Sequence, residues 1–259
     1  MVERPRREAQ LLIMALLQKD ELWLMTHENE IIEAHEKLAE WVERRKKSEP
    51  LEYITNRVSF YSQEFHIEQG ALIPRPETEL LIDEVLAITD TEASLTIVEV
   101  GVGSGVISTI LAQELPNAKI IAVDISSDAL AVARKNIETF GLTERIELRE
   151  GDLLAPVDEK IDILVSNPPY IADDEPLERN LDYEPNLALF GGTIGDEIIQ
   201  RLLDEALDRD IPYFVCEMGY DQKVKVENYL NTRDVKLRFY KDLAGHDRGF
   251  VLKYKQGKV

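Results

Sequence analysis

The sequence predicts an α/β protein with a doubly wound, mostly parallel sheet, preceded by a small helical N-terminal domain and a β-hairpin linker. Three observations predict it. From residue 95 onward, short β-type apolar runs alternate with helical segments. A glycine-rich turn, Gly101-Val102-Gly103-Ser104-Gly105, joins the first of those runs to the helix after it. The first 50 residues carry apolar side chains at helical spacing and stop at Pro50.

Each element follows from its residues. Residues 5–48 are predicted helical, because Leu11, Leu12, Met14, Ala15, Leu16 and Leu17, and later Ile31, Ile32, Ala34, Leu38, Trp41 and Val42, recur on helix faces. Residues 51–73 mix β-type side chains (Val58, Phe60, Tyr61, Phe65, Ile67) with a turn expected at Gln69-Gly70, which makes a hairpin. Pro74 to Pro76 open another helix: Pro76 suits a first helical position, and Glu77 and Glu79 suit the positive end of its dipole. Strands are then expected over 95–100, 119–123, 145–149 and 161–165, with helices over 104–114 and 127–140. A long irregular segment leads to a helix over 195–206, a strand over 212–217, a helix over 221–231, and two closing strands over 235–240 and 249–254. The expected division is residues 1–50 as the helical domain, 51–73 as the linker and 74–259 as the catalytic domain.

Bulk composition narrows the function classes. The 259 residues are 44% hydrophobic, enough for a sizeable core. No run of about 18 apolar residues is present, so no membrane span is expected, and residues 1–7 lack the apolar stretch of a signal peptide. Cys216 is the only cysteine, and no Cys/His cluster has metal-ligand spacing. A reducing, cytoplasmic setting and no metal are therefore expected. The net charge of -20 repels a phosphate backbone within about a Debye length, roughly 8–10 Å. Direct nucleic-acid binding is disfavoured, and the one strong cationic run, Arg44 to Lys47, fits a solvated helix end.

The glycine turn carries chemical information. A dinucleotide fingerprint would place a glycine where Val106 stands; the pattern is instead G-x-G-x-G preceded by Glu99. A carboxylate beside such a Rossmann-like turn suits a cationic ligand head, such as an amino acid's ammonium, better than a pyrophosphate. Asp124 ends the next strand, where an acid can accept both ribose hydroxyls. Asp152 follows the third strand, near the place an adenine ring would occupy, and Leu153 can pack on the ring face.

Asn167-Pro168-Pro169-Tyr170 follows the fourth strand. Two prolines fix their own φ and restrain the residues before them. Such a stiff turn can point the Asn167 side-chain oxygen and a proline carbonyl at one spot, matching the two hydrogens of an NH₂ on a planar conjugated carbon. Tyr170 offers an aromatic face to that plane. An amide nitrogen is a poor nucleophile because its lone pair is delocalised, so two acceptors that position it and stabilise the charge developing on N–H favour its attack. A sulfonium methyl in line, about 3–3.5 Å away, would complete the arrangement.

With these motifs in order, the chain resembles the class I methyltransferases and, within them, the release factor glutamine methyltransferases (PrmC or HemK). The resemblance spans residues 50–255. It runs through Pro50-Leu51-Glu52-Tyr53-Ile54, Leu72-Ile73-Pro74-Arg75-Pro76-Glu77-Thr78-Glu79, the glycine turn, Asp124 and Ser166-Asn167-Pro168-Pro169-Tyr170-Ile171. It continues in Glu184-Pro185, Ala188-Leu189-Phe190-Gly191-Gly192, Glu217-Met218-Gly219 with Gln222, and 242–248. Asn-Pro-Pro-Tyr alone is shared with adenine-N6 methyltransferases; the Pro-Arg-Pro-Glu-Thr-Glu stretch is far more specific. Asn56 stands where the family has glycine, and Thr193-Ile194-Gly195 replaces its acid-glycine ending.

The resemblance implies that Gly101 to Gly105 and Asp124 bind S-adenosyl-L-methionine, with Leu153 beside the adenine and Asn167 near the methionine moiety; S-adenosyl-L-homocysteine is then the product. It implies that Asn167, Pro168, Pro169 and Tyr170 hold the glutamine of a Gly-Gly-Gln tripeptide in a peptide chain release factor. It also implies that the N-terminal helices help to recognise that protein. The competing expectations are an adenine-N6 methyltransferase on DNA or RNA, a ribosomal-protein glutamine methyltransferase, and a module that has lost turnover. Arg75 and Glu79 also fit plain roles at a helix start, Phe60 and Phe65 fit hairpin core, and Asp247 and Arg248 fit a turn.

Overall fold

The computed structural model of the chain describes residues 4–27, 29–31, 33, 35–177 and 181–254. The N-terminal region is not one helical run. It divides into α1 (Pro5–Leu17), α2 (Glu21–Thr26) and α3 (Glu36–Lys46). Gln18 ends α1 in the left-handed region at φ 53°, and the Asp20 side chain caps α2 by accepting the Trp23 N–H at 2.8 Å. Of the residues expected on these helices, Ile32 and Ala34 lie outside the described ones. A fourth helix, α4 (Leu51–Thr55), opens the segment expected to be wholly hairpin. Its Ile54 packs with Leu12 of α1 and Trp41 of α3 in a small core, and Arg45 pairs with Glu8 at 2.6 Å across α1 and α3.

The hairpin itself is β1 (Arg57–Phe60) paired with β2 (Gln63–His66). Its reversal falls at Tyr61-Ser62, with φ of 49° and 60°, and not at Gln69-Gly70. Two positive φ values suit the right-handed twist of a hairpin, but Asn-Gly or Asp-Gly is the usual signal, so this turn is silent in the sequence. The turn is held from outside: the Tyr61 N–H donates to Glu79 Oε1 at 2.7 Å, and its hydroxyl donates to Asp83 at 2.9 Å.

The remaining elements are α5 (Thr78–Ala87), β3 (Thr96–Val100), α6 (Val106–Glu114), β4 (Lys119–Asp124), α7 (Ser127–Thr139), β5 (Ile146–Glu150), β6 (Ile163–Ser166), β7 (Ile171–Ala172), α8 (Asn186–Leu189), β8 (Phe190–Gly192), α9 (Glu197–Asp208), β9 (Tyr213–Glu217), α10 (Lys223–Leu230), β10 (Val235–Lys241) and β11 (Asp247–Tyr254). Seven strands form one sheet in the order β10-β11-β9-β6-β3-β4-β5. All neighbours from β9 to β5 are parallel; β11 is antiparallel to both β9 and β10. The doubly wound, mostly parallel α/β sheet expected from the sequence is thus present. The two-stranded pair β7-β8 is an addition, too short to leave a sequence period.

Side-chain alternation along the central strands sorts residues to two cores. Ile97, Ile120, Ala122, Val165 and Val215 pack toward α5, α6, α7 and the hairpin; Val98, Val100, Ile121, Val123, Leu164 and Phe214 pack toward α9 and α10. Each such fully buried aliphatic side chain contributes roughly 1.5–3 kcal/mol. The chain winds one way from β3 to β4 and β5, then crosses back to β6 and β9. The switch lies between β3 and β6, and Val100 and Ser166 are register partners at its carboxyl end. In open sheets of this kind ligands bind at that crevice. Among the described residues no helix is long and apolar enough to cross a membrane.

Candidate active site

A cavity of about 260 Å³ opens at the switch point. Its walls include Gly101, Val102, Gly103, Ser104, Asp124, Asp152, Leu153, Asn167, Pro168 and Pro169, so ten of the residues singled out in the sequence converge on one space. Strand pairing explains the convergence. Gly101 leaves β3 and Asn167 leaves β6 at the same level, and the Ser166 hydroxyl donates to the Val100 carbonyl at 2.7 Å between them.

The glycine turn is shaped by its φ angles. Gly101, Gly103 and Gly105 have φ of 78°, 53° and 79°, where a side chain is strained. Gly105 lies beneath the turn rather than in the cavity wall, and a Cβ there would stand 3.1 Å from that of Ala133 on α7. Asn136, also on α7, donates to the carbonyls of Ser104 (2.8 Å) and His66 (2.9 Å) and accepts the His66 N–H (2.8 Å). One buried amide therefore locks the glycine turn to the hairpin.

The acids part company. Asp124 lines the cavity, and its two oxygens accept the Gly103 and Ser126 N–H groups, each at 2.9 Å. Burial pushes its carboxyl above the ordinary aspartate range against those hydrogen bonds. Asp152 lines the cavity half-exposed and pairs with Arg201 at 2.6 Å. Leu153 beside it is buried at φ 48°, an uncommon backbone state for leucine. Glu99 is absent from the cavity wall. It is fully buried against α6, where its Oε2 accepts the Ser108 hydroxyl and its Oε1 has no partner. Burial pushes its carboxyl up to about 8.

The Asn-Pro-Pro-Tyr turn is clamped from behind. A Cβ on Gly191 would meet the Pro169 carbonyl oxygen at 2.5 Å, and one on Gly195 would meet that of Tyr170 at 2.6 Å. Gln222 donates to the carbonyls of Tyr170 (3.1 Å) and Gly195 (2.9 Å), stitching the two segments together. In front, the Asn167 Nδ2 donates to the Thr78 hydroxyl at 3.1 Å, which leaves Oδ1 as the unengaged end of the amide. The Tyr170 ring lies outside the cavity wall; it packs toward α9 and α10, with its hydroxyl 3.5 Å from Glu217.

Residues 1–55 match the family model described as PrmC N-terminal domain, and residues 76–181 match that of the methyltransferase small domain. A release factor glutamine methyltransferase of Koribacter versatilis is 39% identical over 225 residues, spanning 83% of this chain and 80% of that protein. The chain belongs to the release factor glutamine methyltransferase family. Further members from Clostridium acetobutylicum and Moorella thermoacetica are 34% and 37% identical, covering 93% and 96% of the chain and 88% and 92% of their own lengths. The catalytic domain of hMettl16, solved with the MAT2A 3′UTR hairpin 6, shares the fold at a TM-score of 0.59 and 14% identity, over 75% of this chain and 77% of that one.

As a member of that family the chain is an S-adenosylmethionine-dependent methyltransferase. Several residues in and behind this methyltransferase's cavity had no assigned role in the sequence. Thr78 holds Asn167 across 89 positions of sequence. Leu187, Ala188 and Phe190 close one side of the cavity, and Gly191, Gly195 and Gln222 back the turn. Glu184 is buried and joins the same assembly by pairing with Arg75 and accepting the Ile73 N–H at 3.0 Å. Their motifs are visible in the sequence, but nothing local tells which distant turn each one braces.

Proposed function

We propose that this methyltransferase transfers the methyl group of S-adenosylmethionine to the side-chain amide nitrogen of the glutamine in the Gly-Gly-Gln tripeptide of a peptide chain release factor. The supporting observation is the Asn167 amide, tethered through Nδ2 and so presenting its oxygen, at the rim shared by the glycine turn and the proline turn. The names of the relatives supply the protein substrate.

The cavity's residues suit the cofactor. Glycines at positive φ let a ligand approach the main chain, Asp124 retains lone pairs for ribose hydroxyls, and Leu153, Ile125 and Val102 give apolar surface for a base. When bound, the cofactor supplies an electrophilic methyl on a sulfonium. Asn167 Oδ1 accepts one amide hydrogen of the substrate. The Pro169 carbonyl packs against Gly191, so the Pro168 carbonyl is assigned as the second acceptor. Two acceptors fixed on a stiff turn favour the positive charge that grows on the nitrogen as it leaves planarity. Tyr170 is assigned to buttress the turn.

The N-terminal helices (1–50) are assigned to recognition of the release factor, 51–73 to the link, and 74–259 to catalysis, in a cytoplasmic enzyme. Incubating the protein with a folded release factor and methyl-labelled cofactor tests this reading. Label is expected on that one glutamine and none on a factor carrying Gln→Ala there; label on neither factor, or on both, refutes it.

A further inference from the structure

The loop 152–157, which gives the cavity Asp152 and Leu153, is held by one face of α9. Arg201, Glu205 and Arg209, the last just past the helix end, stand at four-residue steps and so point the same way. Each of them bonds the loop. An Arg201 guanidinium nitrogen donates to Asp152 Oδ2 at 2.6 Å, and Glu205 Oε2 accepts the Leu154 N–H at 3.0 Å. Arg209 donates to the carbonyls of Val157 (2.7 Å) and Leu154 (3.1 Å). Between these bonds Leu153 sits at φ 48°, a state that a leucine keeps only where its surroundings fix it.

The three side chains differ in what they hold. Glu205 and Arg209 bond main-chain groups and set the path of the loop. Arg201 bonds a side chain, and it lines the cavity together with that side chain. With Asp152 Oδ2 taken, Oδ1 accepts from no described residue. A carboxylate oxygen can only accept, so it favours an N–H donor in the cavity over a carbonyl. Adenine offers such a donor in its exocyclic NH₂. The 6-oxo base has a carbonyl in that place and a proton on the neighbouring ring nitrogen. A carboxylate free to swing can follow that proton, whereas a pinned one faces the carbonyl. Telling the two bases apart therefore needs the pin as well as the acid.

We infer that Arg201 is a positioning residue for cofactor recognition, pinning the Asp152 carboxylate so that its free oxygen reads the exocyclic amine of the adenine. The inference rests on the S-adenosylmethionine reading of the cavity and not on the release factor. Arg201 belongs to none of the stretches that carry the family resemblance. Its pair with Asp152 leaves the two side chains 49% and 51% exposed, so it contributes little to stability. What it supplies is direction, and the binding of two bases reads that apart from folding.

Calorimetry with S-adenosyl-L-homocysteine and S-inosyl-L-homocysteine tests the inference without any methyl transfer. The unaltered protein is expected to bind the first more tightly by roughly tenfold to a hundredfold, the scale of a hydrogen bond to a charged group replaced by an unpaired one. Arg201→Met should bring that ratio below about threefold while Tm stays within about 3 °C. Arg201→Lys keeps a cation for the single contact and should hold the ratio within about threefold of the unaltered one. Asp152→Asn should abolish the preference by itself, and adding Arg201→Met to it should change the ratio no further. A ratio near one in the unaltered protein would overturn the inference. So would a ratio retained in Arg201→Met, whether the two constants stay or weaken together, or a double variant whose losses add. Failure to bind S-adenosyl-L-homocysteine at all would remove the cofactor reading and this inference with it, whereas failure to methylate a release factor leaves the binding ratios to decide.

Discussion

Adding one methyl group at Gly191 tests how tightly the reaction depends on the backing of the proline turn. The Cβ of Gly191→Ala would stand 2.5 Å from the carbonyl oxygens of both Pro169 and Gly195. Ordinary contact begins at 3.4 Å, so the atoms must separate by about 0.9 Å. No flexible side chain can absorb that, because both obstacles are backbone and one belongs to a proline. The Gln222 bonds to Tyr170 and Gly195 resist separation of the two segments, so the displacement passes to Pro169 and its neighbours Asn167 and Pro168. Misplacement by about 1 Å costs on the order of a hundredfold in rate. Overpacking of this kind costs about 1–3 kcal/mol of stability, a drop in Tm of roughly 3–10 °C. Steady-state release factor methylation should show kcat down by about a hundredfold, with the cofactor dissociation constant within about threefold by calorimetry. Gly141→Ala is the control: its Cβ meets nothing within 4 Å, so only the modest strain of its φ of 69° is expected and kcat should hold. A Gly191→Ala enzyme turning over at the unaltered rate would show that the turn does not need its backing.

Other outcomes follow from the same geometry. Asp124→Asn removes a charge that accepts hydrogen bonds in the cavity wall, so cofactor affinity should fall roughly tenfold to a hundredfold by calorimetry; an unchanged constant would free Asp124 of that role. Glu99 is held protonated in the fold up to about pH 8, whereas an unfolded glutamate ionises near 4.5, so its burial costs stability increasingly as pH rises between those values. The Tm of Glu99→Gln minus that of the unaltered apo protein should therefore grow from pH 5 to pH 8, and a difference flat with pH would refute this. Arg75→Met leaves the buried Glu184 without its cation and should destabilise the protein by roughly 3 kcal/mol, read as a lower denaturant midpoint.

How much of this was legible in the sequence depends on how local each cause is. The central strands were, because burial on both faces writes them as unbroken apolar runs such as 120–123 between helices with marked ends. The cavity wall was also legible, since Gly101 and Leu153 follow strands, Asp124 ends one, and the winding brings strand ends together. The Tyr61-Ser62 reversal was not, because distant Glu79 and Asp83 hold it and no turn residues mark it. Glu99 shows the reverse case. Its position beside the glycines pointed to the ligand, but its side chain is buried against Ser108 of α6 and is absent from the cavity wall. Tyr170 likewise lies off the cavity wall, its ring packed on the core that holds α9 and α10. Thr78 was quoted within a motif yet carried no role, for its partner Asn167 is distant in sequence and only the fold joins them.

The rung joining Val100 to Ser166 has a consequence for how such an enzyme can change. Under the proposed assignment, donor and recipient are gauged by the spacing of adjacent strands, about 4.8 Å, a length set by peptide hydrogen bonds and indifferent to side-chain identity. Changes in the N-terminal helices, to which recognition is assigned, can then retune which polypeptide is admitted without disturbing that interval. Choice of target and reach of transfer are thereby held in separate parts of the molecule.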